Sequence, residues 1–219
     1  MVLLLTCVIA SGCSADDPLP AALEATVTIE AQGCSMVSDY GTGVAVTHQG
    51  STVIVTSAHT VAGAATILVH TDRAVHQASV LAFDPDRDLA VLDAPEGLTG
   101  RQLIQPTAAL PATVIVRDPA AQPRSIPSTI TRLLRVTIED IYLDDKVTRQ
   151  AFELPADIKP GDSGAPVFTF GGDILGVIYA RSRSRPVGFA VSSVEIRELL
   201  DHAVHDAAHQ EPSSVGRCL

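Results

Sequence analysis

Three short segments of the chain hold residue types suited to nucleophilic acyl transfer. The first is Gly161-Asp162-Ser163-Gly164-Ala165-Pro166, a serine in a glycine-rich turn directly before an apolar run. Such a turn frees the hydroxyl from neighbouring side chains. It also lets the backbone N–H groups of Gly161 and Ser163 converge on a carbonyl oxygen as it becomes an oxyanion. A serine cannot attack alone, and His59, in Thr56-Ser57-Ala58-His59, stands at the end of an apolar run where a short turn would expose its ring as the base. Asp88, in Asp86-Arg87-Asp88-Leu89-Ala90-Val91-Leu92, opens another such run. Its carboxylate would hold the imidazole in the right tautomer and stabilise it when protonated. Each segment alone has a plainer explanation: a tight turn, a hydrogen-bonded histidine, a strand start. Together, in this order, they read as a catalytic triad of His59, Asp88 and Ser163.

These residues need rigid elements to hold them. Short runs rich in Val, Ile and Thr, bounded by Gly, Pro, Asp and Ser, recur at 25–31, 42–48, 52–58, 65–70, 74–82, 88–92, 113–117, 128–138, 148–154, 165–170, 174–180 and 187–192. They predict about twelve strands, and without interleaved helical periods they favour antiparallel barrels or sandwiches over a parallel α/β sheet. The α/β-hydrolase arrangement is excluded further by triad order and by the lack of its G-x-S-x-G elbow. One long helix is legible at 193–208, with Ser192 or Ser193 as N-cap and Glu195 in its first turn. The proline-bearing stretch 93–112 reads as a linker between two barrels, at about 24–100 and 112–192, and 118–127 reads as a loop.

The 219 residues fit one domain of this kind, and 46% hydrophobic against 18% charged residues indicates a compact globule. A net charge of −10 disfavours binding to nucleic acid or anionic membranes, which depends on Lys and Arg meeting phosphates. Residues 2–12 form an apolar run ending in small residues, as in a secretion signal, and fall short of the ~20 residues that span a bilayer. Ala10-Ser11-Gly12-Cys13 is similar to a lipobox, in which Cys13 would be lipidated and tether the chain to a membrane; a plain cleaved signal and a misassigned start are the alternatives. Residues 13–23 then form a flexible tether. With Cys13 lipidated, Cys34 and Cys218 are an even pair in a compartment that permits disulfides. They either bridge the domain end to end or remain free thiols. His202, His205 and His209 lie at helical spacing, where a solvated face is the simpler reading than a metal site, and the chemistry above needs neither metal nor cofactor.

TSAHTV, DRDLAVL and GDSGAPV resemble the three signature segments of the trypsin-like serine proteases. From about residue 25 to 219 the chain is also similar to the actinobacterial periplasmic acid-resistance serine proteases, through GTGVAV, IEDIYLDDKVTRQAFELPADIKPGDSG and GFAVSSVEIRELL. That resemblance implies an all-β, chymotrypsin-like double antiparallel barrel with a C-terminal helix. It also implies a Cys34–Cys218 disulfide and a protein or peptide substrate. Members of that family carry an N-terminal multi-helix membrane domain, whereas here only a short apolar leader precedes the similar region. Ala165 replaces the second glycine of GDSGGP, Thr60 stands where digestive trypsins have a cysteine, and Asp162 has no evident zymogen N-terminus to pair with.

Substrate would add as an extended strand beside 174–180, reaching Tyr179, Ala180 and Arg181. Asp157 falls where trypsins bind Lys or Arg, and Gly188 aligns with an open pocket wall, which suggests a basic residue before the scissile bond. Arg181-Ser182-Arg183-Ser184-Arg185 at the same rim suggests the opposite. The expected activity is that of a monomeric serine endopeptidase in the cell envelope or outside the cell. The rival is a catalytically latent protein of the same fold that binds peptides or senses stress.

Overall fold

The computed structural model describes residues 19–118, 122–206 and 215–219. Its elements run α1 Leu19–Ala25, β1 Thr26–Gln32, β2 Asp39–His48, β3 Ser51–Thr56, α2 Ala58–Val61, β4 Thr66–His70, β5 Val75–Ala78, β6 Val80–Asp84 and β7 Leu89–Asp93. After a connection come β8 Pro111–Val116, β9 Arg124–Thr129, β10 Arg132–Glu139, β11 Lys146–Pro155, β12 Pro166–Thr169, β13 Ile174–Arg181, β14 Val187–Ser192 and α3 Ser193–Asp206. The strands form two seven-stranded antiparallel sheets, in the orders β5-β4-β1-β2-β3-β7-β6 and β10-β11-β14-β13-β12-β8-β9.

Two expected strands are each two strands, for the same reason. Within 74–82, β5 pairs with β4 at one edge of the first sheet and β6 pairs with β7 at the opposite edge, leaving Ser79 alone to join them. A sheet whose two edges are one residue apart must be curled closed, and the Asp93 N–H donates to the Ser79 carbonyl (3.0 Å) across the seam. The second sheet closes likewise at Ile130-Thr131, between β9 and β10, where the Thr131 N–H donates to the Glu153 carbonyl (2.8 Å). Both sheets are therefore barrels, and with α3 they give the chymotrypsin-like architecture that the resemblance implies.

The loop expected over 118–127 ends early, because Arg124–Thr129 pairs with β8 from Val116↔Arg124 to Pro111↔Thr129. Pro127 made this segment look like a loop, yet a proline is tolerated in an edge strand, where its missing N–H faces no partner. The flexible tether also ends earlier than residue 23. Leu19–Ala25 is helical, and Ala22 is 2% exposed within the core formed with Ile115 and Phe168. Proline in a first helical turn costs no hydrogen bond, so Pro20 does not oppose the helix. Cys13 lies outside the described residues. Apolar side chains fill each barrel, and a third cluster, including Ile196, Leu199 and Leu200 of α3, packs where the barrels meet. The connection read as a linker helps to join them: Arg101 bridges to Val46 of the first barrel and Leu103 to Ile174 of the second. Among the described residues no helix is long and apolar enough to cross a membrane.

Candidate active site

β3 and β7 are neighbours, with Thr56 opposite Ala90, so the residues just beyond their paired ends are brought together. After Thr56 the chain turns through Ser57 into the short helix α2, which carries His59; Asp88 immediately precedes β7. Asp88 is 4% exposed and takes a left-handed backbone (φ 55°), a conformation aspartate tolerates better than most residues. Its carboxylate accepts the His59 backbone N–H at 3.0 Å and the His59 Nδ1–H at 2.8 and 3.0 Å. This fixes the ring and its tautomer, leaving Nε2 as the unprotonated nitrogen of neutral His59. Burial pulls the His59 imidazole down and the Arg149 charge adds to that pull, but the hydrogen bond and charge of Asp88 outweigh both, and its pKa is raised.

Ser163 lies in a turn between Gly161 (φ 92°) and Gly164 (φ 80°). Gly164 is obligatory here, since a Cβ would collide with the Thr42 carbonyl of β2. Ala165 is fully buried without a left-handed φ, so its methyl in place of the second glycine is accommodated. The turn is tied to the first barrel, where the Thr42 N–H donates to the Ser163 carbonyl at 2.8 Å. A second tie is shared: the Gly164 N–H (2.7 Å) and the Ser57 hydroxyl (3.1 Å) both donate to the carbonyl of Ile178. One oxygen of β13 thus anchors the residue after Ser163 and the residue two before His59. Among the described residues, neither the Gly161 nor the Ser163 N–H has an acceptor, and no hydrogen bond joins the Ser163 hydroxyl to His59.

Asp162, 4% exposed, braces this turn from behind. Its carboxylate accepts the Lys159 N–H at 2.8 Å and an Arg124 N–H at 2.6 Å to each oxygen. The partner of Asp162 is not legible in the sequence, because Arg124 lies in the stretch that reads as a loop. A buried carboxylate in a glycine turn was itself the signal that a cation had to come from elsewhere.

β12 pairs with β13 only as far as Val177, so Tyr179, Ala180 and Arg181 have β14 on one side and an open edge on the side of the Ser163 turn. Asp157 is exposed and shares a depression of about 250 Å³ with Ile158 and with Arg181, Arg183 and Arg185. The wall at Gly188 is packed rather than open: a Cβ there would lie 2.8 Å from Ile158 Cγ1. Ile158 was not singled out in the sequence. Neither was Arg149, which lies on the expected strand 148–154. His202 is exposed and donates from Nδ1 to the Glu198 carbonyl (2.6 Å), while the His205 side chain and His209 lie outside the described residues. Cys34 and Cys218 are disulfide-bonded, with Cα atoms 5.6 Å apart.

Residues 41–177 match the family model described as a trypsin-like peptidase domain. The chain belongs to this family. It is 30% identical over 149 residues to Serine protease Rv3671c of Mycobacterium tuberculosis, an alignment covering 65% of this chain and 37% of that one. The chain therefore spans little more than a third of its curated relative's length. The crystal structure of the Rv3671c protease in its active form superposes with a TM-score of 0.79 at 27% identity, covering 100% of this chain and 98% of that one. HtrA-type protease AlgW with a tripeptide shares the fold, with a TM-score of 0.74 at 22% identity over 87% of this chain and 64% of that one. The fold and family of this trypsin-like domain are those of a serine-type endopeptidase.

Proposed function

We propose that the protein is an exported serine endopeptidase that hydrolyses peptide bonds through an acyl-enzyme. His59 takes the Ser163 proton as the hydroxyl attacks, Asp88 steadies the resulting imidazolium, and the Gly161 and Ser163 N–H groups receive the oxyanion. His59 then returns the proton to the leaving amine, and water repeats the sequence to release the acyl group. The observation that carries this reading is the shared Ile178 carbonyl, which holds the serine turn of one barrel against the histidine turn of the other. Substrate lies as an added strand on the open edge at 179–181. Export is supported by the apolar leader and by the disulfide, which persists in oxidising compartments.

The test is labelling by a fluorophosphonate probe from about pH 5 to about pH 8, beside Ser163→Ala. Labelling that vanishes in the variant is expected. Folded protein that stays unlabelled throughout would favour the peptide-binding reading instead.

The raised pKa of His59 sets the pH dependence. Below its pKa the ring is cationic and cannot accept the serine proton, so kcat/KM should rise with pH through an acid limb above 6.5. A limb at or below that value in a pH–rate profile would contradict the proposed base. Three guanidiniums against one carboxylate at the depression beside the open edge favour an acidic side chain there. Of two peptides differing only in the residue before the scissile bond, Glu should be cleaved about tenfold faster than Arg. Faster cleavage after Arg would restore the role for Asp157 that its sequence position suggests.

A further inference from the structure

Arg149, on β11, is 4% exposed, and among the described residues no carboxylate pairs with it. Its Nη1–H donates to the Asp86 carbonyl at 3.2 Å, its plane lies over the Tyr179 ring at 4.3 Å from the centroid, and its buried Nε–H has no acceptor. An unpaired buried cation is costly, and buried charges are normally paired. What it touches belongs to the candidate site. Asp86 lies two residues before Asp88, in the turn that delivers the carboxylate to His59. Tyr179 directly follows Ile178, whose carbonyl joins the two halves of the site.

The same turn is gripped from its other side. Arg87 donates to Glu195 of α3 at 2.8 Å, and Glu195 in turn accepts the N–H of Gln150, the neighbour of Arg149. The Asp86–Asp88 turn of the first barrel is therefore clamped between β11 and α3, both outside that barrel.

We propose that Arg149 is a positioning residue for the reaction: it fixes the Asp86–Asp88 turn against Tyr179, so that the Asp88 carboxylate stays aimed at His59. This rests on the function proposed above. The charged and titratable groups around the His59 ring are Asp88, before β7, and Arg149, on β11; Tyr179, on β13, stacks under Arg149. Burial pushes the Tyr179 hydroxyl up against the opposing charge and hydrogen bond of Arg149, with Asp88 adding to the rise, and Arg149 likewise opposes protonation of His59.

The experiment compares full-chain wild type, Arg149→Met and Arg149→Lys by kcat and KM across pH, after fluorophosphonate labelling of the wild type. Arg149→Met should lower kcat about tenfold or more with KM nearly unchanged, since small misplacements of a catalytic group are expensive. The acid limb should stay near or fall below its wild-type position, because a displaced Asp88 carboxylate favours the cationic ring less and so offsets the loss of the Arg149 charge. Arg149→Lys keeps the charge but not the planar stack, so it should hold the limb in place and recover only part of kcat. Wild-type kcat in Arg149→Met, or a limb moved to higher pH as loss of the charge alone would move it, would overturn the proposal. If Arg149→Met does not fold, wild-type kcat in Arg149→Lys overturns it and a reduced kcat with an unmoved limb supports it. Unlabelled wild type would instead remove the proposed function itself, and this role with it.

Discussion

Asp88→Asn should lower kcat/KM about ten-thousand-fold while the protein remains folded. The carboxylate now accepts two N–H groups of one residue, the backbone and Nδ1 of His59, at 2.8 to 3.0 Å. An asparagine can keep one oxygen on the backbone N–H, but its amide nitrogen then faces Nδ1. A donor facing Nδ1 forces the proton to Nε2, and a protonated Nε2 cannot accept the proton of Ser163. The shape is kept and the base is lost. Steady-state kinetics beside a thermal melt would read both, and a loss below about tenfold would mean that something other than Asp88 sets the His59 tautomer.

The second large effect is on stability. Cys34 and Cys218 are 184 residues apart in sequence, so their bond closes a loop over most of the chain. The chain-entropy relation gives about 5 kcal/mol for such a loop, near the upper end of what single disulfides contribute. Cys34→Ser with Cys218→Ser should therefore lower the urea unfolding free energy by several kcal/mol. The loss has a local side too. The Gly63 N–H donates to the Val215 carbonyl at 2.8 Å, and Cys218 packs so closely on Gly63 that no side chain fits between them. Gly63 lies just past α2, so freeing residues 215–219 removes packing beside the helix that carries His59. An unchanged unfolding midpoint in the double variant would show that the terminal segment is held without the bond.

The sequence was most legible where local chemistry and burial agree. Leu89–Asp93 is apolar on both faces and is a central strand, and Ser163 stands in a turn because only its glycines allow that backbone. Single-residue seams were not legible: Val75–Ala78 and Val80–Asp84 form one continuous β-favouring run, and only the closure of the sheet assigns its halves to opposite edges. Arg124 and Arg149 were missed because a cation's task depends on which carboxylate or ring the fold brings to it, and their partners are 38 and 30 positions away in sequence. Asp157 illustrates the converse. Its position and the arginines of the following hairpin are both legible at one rim, but which charge prevails there depends on how the two segments meet.

The pairing of Asp162 with Arg124 bears on how such an enzyme is controlled. The cation that braces the serine turn comes from inside the folded domain, on β9, rather than from a chain end created by cutting. Under the proposed function, bracing of the serine turn then needs no newly made chain end. The point at which such an enzyme could be restrained then moves outward, to the open edge of β13 where substrate would lie.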